Sequence, residues 1–166
     1  MRTETKLMQI FNFNELEKSI QETLIEKEKY ANYELYAETE LYDEIVTKAK
    51  KLLKKYFRNK AVFKNTYYDF SYCQGGGAMI EFDLLYYNSY IKIRHYGRYY
   101  HERSFEIFPD YLLPYERYEK LKDKIIEINR ELASYGYNLL ENCTNDEFAI
   151  ENLMEYEFLK DGTMYI

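Results

Sequence analysis

Between Leu41 and Tyr56 apolar residues return every three or four positions, whereas from Ala61 onward they return every second one, and this change of period most constrains the fold. In LYDEIVTKAKKLLKKYF the residues Leu41, Ile45, Ala49, Leu52, Leu53 and Tyr56 form one stripe; acids open the segment and lysines close it, as a helix dipole favours. VFKNTYYDFSYC is then rich in β-branched and aromatic residues, and AMIEFDLLYY and SYIKIRHYGRYYHERSFEIF alternate. Asn88 and Ser89 supply a tight turn between the last two runs. In the third run Ile91, Ile93, His95 and Tyr99 share one face and Tyr90, Lys92, Arg94 and Tyr96 the other, with Gly97 marking a bulge. Strands with one apolar face need helices to cover it. The expectation is α+β: an antiparallel sheet of about three to five strands flanked by N- and C-terminal helices.

The flanks carry their own signals. Asn14 caps a helix over ELEKSIQETLIEKEKY, with Leu16, Ile20 and Leu24 at helical spacing, while ANYELYAET reads as continued helix or as a break. Pro114 opens a helix whose stripe is Tyr118, Leu121, Ile125, Ile128 and Leu132, and Gly136 stops it. Thr144 to Glu147 forms a capping box for EFAIENLM, and Lys160-Asp161-Gly162 turns a terminal hairpin. This gives one domain over 1–166: helical 1–60, antiparallel β 61–108, helical 111–152 and hairpin 153–166. A chain of this length buries roughly 70% of its unfolded surface without a metal or disulfide. Cys73 and Cys143 are too isolated for a zinc or disulfide framework, so no metal or cofactor is expected. With no long apolar run, the reading is cytoplasmic.

Three of the six glycines, Gly75, Gly76 and Gly77, stand together. A phosphate-cradling P-loop needs Lys and then Ser or Thr after its last glycine, and here Ala78 and Met79 follow. A dinucleotide fingerprint needs a helix after the glycines, and here the sequence alternates like a strand. The glycines therefore join two strands, with positive φ permitted by the missing Cβ.

S-Y-C-Q-G-G-G-A, preceded by D-F and followed by H-Y-G-R-Y-Y-H-E, resembles the S-Y-S-Q-G-D-G-A and later G-x-Y-x-H patterns of small phage and prophage proteins of unassigned activity. The ending EYEFLKDG is similar to theirs. The resemblance covers roughly residues 65 to 105 and the tail, and the usual Asp between the glycines is Gly76 here. It implies a mobile-element protein, and phage proteins of this size often act by occupying a host machine.

Charge is segregated along the chain. Glu15 to Glu44 holds ten acids against three lysines, Lys48 to Lys64 holds seven Lys and one Arg without an acid, and Glu141 to Asp161 holds seven acids against Lys160. Acidic segments attract basic partners. Together with the resemblance they lead to the expectation of a non-enzymatic, anti-CRISPR-type inhibitor in the host cytoplasm, whose partner is a host defence protein, above all a CRISPR effector nuclease with its basic nucleic-acid channel. Candidate partner-binding residues are Glu34, Tyr36, Glu38, Glu40, Asp43 and Glu44, beside Tyr33 and Tyr42. The alternative is a nucleic-acid-binding protein or small nucleic-acid-acting enzyme using the basic and aromatic strand 90–103, with Lys51, Lys54, Lys55, Lys92, Arg94 and Arg98 meeting phosphates while tyrosines stack on bases. His95, Tyr99 and His101 on one face near Ser71 or Cys73 would be an acid–base group, but no activating partner or oxyanion site is identifiable, and Glu102 has the wrong parity to join the histidines as a metal ligand.

Overall fold

The computed structural model describes residues 8–71, 75–111 and 113–165. In chain order the elements are β1 (Phe11–Asn12), a 3-10 turn (Phe13–Glu15), α1 (Lys18–Thr39), α2 (Leu41–Phe57), a second 3-10 turn (Arg58–Lys60), β2 (Ala61–Asp69), β3 (Gly77–Tyr86), β4 (Ser89–His95), β5 (Phe105–Pro109), α3 (Tyr115–Cys143), α4 (Asp146–Leu153), β6 (Glu157–Phe158) and β7 (Met164–Tyr165). The fold is α+β, with one four-stranded and one three-stranded antiparallel sheet. The elements fall into two compact units, Glu40–Leu139 and, discontinuously, residues 1–39 with 140–166.

Within Glu40–Leu139, β2, β3, β4 and β5 form a meander in that order. Phe63 lies opposite Phe82, Phe82 opposite Ile93, and Leu84 opposite Ile91. Alternation therefore puts Ala78, Ile80, Phe82, Leu84, Ile91 and Ile93 on one face, all buried. α2 brings Leu41, Ile45, Ala49, Leu52, Leu53 and, in place of the expected Tyr56, Phe57 to this core, while Tyr56 stays half-buried with its hydroxyl on Glu131; α3 brings Leu121, Ile125, Ile128 and Leu132. Fully burying each of the Leu, Ile and Phe side chains stabilises by about 1.5–3 kcal/mol before conformational entropy is subtracted. Phe57 meets Phe82 with ring centroids 5.5 Å apart. Between the two helices Lys55 pairs with Glu131 at 2.8 Å and the Tyr135 hydroxyl donates to Glu44 at 2.7 Å.

The opposite face of the sheet exposes Val62, Leu85, Tyr90, Lys92 and Phe108 around one buried carboxylate. Asp83 receives Arg94 at 2.5 Å, Lys64 at 3.2 Å and the Tyr90 hydroxyl at 2.7 Å. Burial opposes its ionisation, but these three donors outweigh burial and hold the carboxyl at about 2, below its ordinary 3.8.

A buried amide replaces a missing strand partner. Ile80 N–H, beyond the last β3–β4 pair at Phe82 and Ile93, donates to Asn129 Oδ1 at 3.1 Å, and Asn129 Nδ2 donates to the Glu102 carbonyl at 3.1 Å. α3 thereby fastens β3 and the loop 96–104 to one side chain that is wholly buried.

In the other unit, β1 pairs β6 and β6 pairs β7. Phe13, Leu16, Leu153 and Phe158 form the core, with Ile20, Leu24, Ile25 and Ile150 packed against it. Gly162, with φ +84°, turns the β6–β7 hairpin beside Ile20, to whose Cγ2 a Cβ there would come within 2.6 Å.

Several expected boundaries move, each for a local reason. Asn14 does not cap α1: it lies inside the 3-10 turn, where Asn12 and Glu15 form a reciprocal box, Asn12 N–H donating to Glu15 at 2.7 Å. ANYELYAET continues α1 to Thr39. The β3–β4 turn is Tyr87-Asn88, because Tyr86 pairs with Ser89. The third apolar run is two strands, since Gly97 adopts φ +91° and residues 96–104 form a loop closed by Tyr96 N–H to the Ser104 carbonyl. Gly136 does not stop α3, which continues to Cys143: the glycine admits Phe70, whose ring carbons would lie 2.1–2.6 Å from a Cβ. α4 is capped by Asn145, which accepts from Phe148 N–H at 2.8 Å, while the Thr144 hydroxyl donates back to Leu140.

Candidate functional site

Of the glycine motif, Tyr72, Cys73 and Gln74 lie outside the described residues. The glycines themselves are where the loop 96–104 seats against the β2–β3 connection. Gly75 and Gly77 have φ of +120° and +146°. A Cβ on Gly75 would fall 2.3 Å from the Tyr99 ring, and one on Gly77 would fall 3.1 Å from the backbone of Tyr100 and His101. Tyr100 N–H donates to the Gly75 carbonyl at 3.1 Å. Missing side chains thus serve a close approach of two backbones as well as a turn.

His101 lies in this loop and His95 ends β4 beside it, and the named nitrogen of each is bonded to loop backbone. His95 Nε2 donates to the Tyr99 carbonyl at 3.0 Å, and His101 Nδ1 accepts from Arg103 N–H at 3.1 Å. The His95 ring lies 4.6 Å from Tyr67 and 5.2 Å from Tyr100 between centroids, and Tyr67 and Tyr100 stack at 5.8 Å. Tyr99 stacks on His101 at 6.4 Å. Ser71 directs its hydroxyl and its N–H to Asp69 Oδ1, at 2.5 and 2.9 Å. This geometry orders a loop by ring stacking and backbone hydrogen bonds. Among the described residues no three His, Cys, Asp or Glu side chains gather as a metal ion requires.

The six acidic and aromatic candidates divide between the units. Glu34, Tyr36 and Glu38 lie on α1, while Glu40 is the N-cap of α2, with Asp43 and Glu44 in its first turn. Glu44 is held by Tyr135, as above. α1 has no buried residue in 22, and exposes Tyr30, Tyr33 and Leu35 at 65%, 39% and 63%. Tyr30, Glu34 and Glu38 follow at i, i+4 and i+8, one row on the helix. The Tyr30 hydroxyl is bonded to Glu34, which raises its pKa above the ordinary 10.0. Lys29, the last cation of α1, is spent on Glu26 at 2.9 Å and Asp146 at 3.0 Å.

The basic candidates do not converge. Lys51, Lys54 and Lys55 lie on α2, covering one face of the sheet, whereas Lys92 and Arg94 alternate with buried Ile91 and Ile93 and so lie on the other. Arg94 is committed to Asp83 and to the carbonyls of Phe82 and Ile93. Lys55 is paired with Glu131, and Arg98 lies over the Tyr99 ring at 5.7 Å. A different set does converge. Arg58, Lys60, Arg117 and Lys124 border one cleft with Tyr86 and Tyr87. They come from the end of α2, the β3–β4 hairpin and α3, and no linear spacing unites them.

No helix among the described residues is long and apolar enough to cross a membrane. No family model matches the chain, and neither a curated protein nor a solved structure has detectable similarity to it.

Proposed function

We propose that this chain is a non-catalytic interaction protein of a mobile element, which occupies a basic, nucleic-acid-binding cleft on a host defence protein, with a CRISPR effector nuclease as the foremost target. The observation that carries the reading is the α1 surface, where exposed Tyr30, Tyr33 and Leu35 stand among Glu34 and Glu38 with no cation after Lys29. Aromatic rings supply desolvated anchors, and carboxylates steer the approach and fix register. Charge adds support: residues 1–39 with 140–166 hold six bases against fifteen acids, a net of −9. The phage-like glycine motif and tail favour the origin.

The test is co-purification with effectors from low-GC bacteria and measurement of their DNA cleavage. Glu34→Lys with Glu38→Lys should abolish binding and inhibition while circular dichroism stays unchanged. Inhibition that survives this double reversal removes α1 as the contact surface, and absence of binding to every effector removes the reading itself.

A further inference from the structure

The cleft bounded by Arg58, Lys60, Arg117 and Lys124 has a volume of about 620 Å³, in the range of pockets that hold small organic ligands. Its border contains four cations and no carboxylate. Among the described residues none of the four is within ion-pair distance of an acid. Tyr56, on the same wall, donates its hydroxyl to Glu131, which Lys55 already neutralises. Uncompensated positive charge around a concave space is an arrangement that attracts phosphate, and two of the four are arginines, able to grip it with paired N–H donors.

The aromatic wall narrows the ligand further. Tyr86 and Tyr87 meet edge to face with centroids 4.7 Å apart, Tyr87 is 61% exposed, and the Arg117 guanidinium lies 4.1 Å over its ring. Phosphate-binding cations beside an exposed ring suit a ligand that joins phosphate to a planar base.

Backbone strain marks the same place. Among the described residues only three other than glycine have positive φ: Arg58 at 57°, Tyr87 at 49° and Asn88 at 65°. All three line this cleft. Such conformations cost on the order of 1–3 kcal/mol each when a side chain is present and cluster at ligand sites. Two of them follow from the tight turn, but a bulky tyrosine where such a turn favours Asn, Asp or Gly is a choice that the turn alone does not require.

We infer that this cleft binds a nucleoside phosphate, the cations taking the phosphate and Tyr87 the base, either as a free nucleotide or as one unit of a single strand. The inference rests on the cleft alone and is independent of the partner proposed for α1.

Binding is measured on the full chain by fluorescence anisotropy, with fluorescently labelled ATP and a short labelled oligothymidylate as separate probes. The unaltered protein should bind at least one of them, more weakly as salt rises. Arg117→Glu and Lys124→Glu, both at exposed positions, should each weaken binding by about tenfold or more, as expected for loss of one charge-assisted contact and its replacement by repulsion. Lys160→Glu, exposed in the β6–β7 turn and not part of the cleft wall, should leave it unchanged. Tighter binding of the oligonucleotide than of ATP assigns a strand, and the reverse order assigns a free nucleotide. Absence of binding to both probes, or binding indifferent to Arg117→Glu and Lys124→Glu with the fold intact by circular dichroism, overturns the inference.

Discussion

A helix interior is where glycine is ordinarily costly, and Gly136 shows why one is kept. Replacing it with alanine should gain about 1 kcal/mol of helix propensity, yet its Cβ would enter the Phe70 ring, itself packed on Tyr137 at 5.3 Å between centroids. Gly136→Ala should therefore lower stability by about 1–3 kcal/mol in urea denaturation, and Phe70→Leu in the same chain should recover part of the loss. A simple gain in stability would show that the ring moves aside without cost. Gly76→Ala meets the Ser71 and Asp69 carbonyls at 2.6 and 2.9 Å, neither a flexible side-chain end, and should destabilise by about 1 kcal/mol or more. At Asp83 the carboxyl is lowered from 3.8 to about 2. Its stabilising contribution is full above the unfolded value near 4 and is lost as pH falls toward 2, amounting to about 2 kcal/mol. The chain should lose stability across that interval, and Asp83→Asn should reduce the slope there while lowering stability at neutral pH, because Arg94 and Lys64 lose their shared partner.

At the scale of elements, the β3 end and the loop 96–104 are joined to α3 through one amide. Asn129→Leu keeps the branched shape and the number of heavy atoms, though with bulkier methyl groups, but leaves the Ile80 N–H and the Glu102 carbonyl without partners, each costing about 1–3 kcal/mol if it remains buried. Hydrogen exchange should report the site of damage: the Ile80 amide should exchange faster, with the β2–β3 and β3–β4 amides farther from it less affected. Protection unchanged at Ile80 would mean that the amide is not what holds this end of β3. The same logic explains why the third apolar run divides. Tyr96 N–H pairs with the Ser104 carbonyl while the loop seats on Gly75 and Gly77, so backbone groups that a longer strand would pair with a neighbour find partners in the loop instead.

The whole molecule is divided in charge as well as in core. Residues 40–139 hold seventeen bases against fourteen acids, a net of +3, beside the −9 of the other unit. They form a continuous stretch with a meander sheet, two covering helices and a core of their own. Expressed alone, residues 40–139 should fold cooperatively, show mixed α and β circular dichroism, and bind a cation exchanger at neutral pH where the full chain, with a pI near 5.1, binds an anion exchanger. A fragment without a cooperative thermal transition would show that this core depends on the other unit.

The period of the hydrophobic pattern was enough to determine α2, β2, β3 and the core stripe of α3, because a helix or strand buries one face and that requirement is written locally, and the terminal hairpin was legible from its Lys160-Asp161-Gly162 turn. The exclusion of a P-loop was equally local, resting on Ala78 and Met79. The expected basic face was not determined this way: Lys54 and Lys92 share a charge but lie on opposite sides of a sheet, a matter of strand parity and of where α2 packs. β1 escaped notice because its two residues become a strand only when β6 lies beside them. Gly136 reads as a stop until Phe70 is seen to fill the place of its side chain. Tertiary structure alone decided the cleft, whose Arg58, Tyr87 and Arg117 are far apart in sequence. Their common position is set by packing α2, the β3–β4 hairpin and α3 around one core, and periodicity along the chain carries no record of that long-range arrangement.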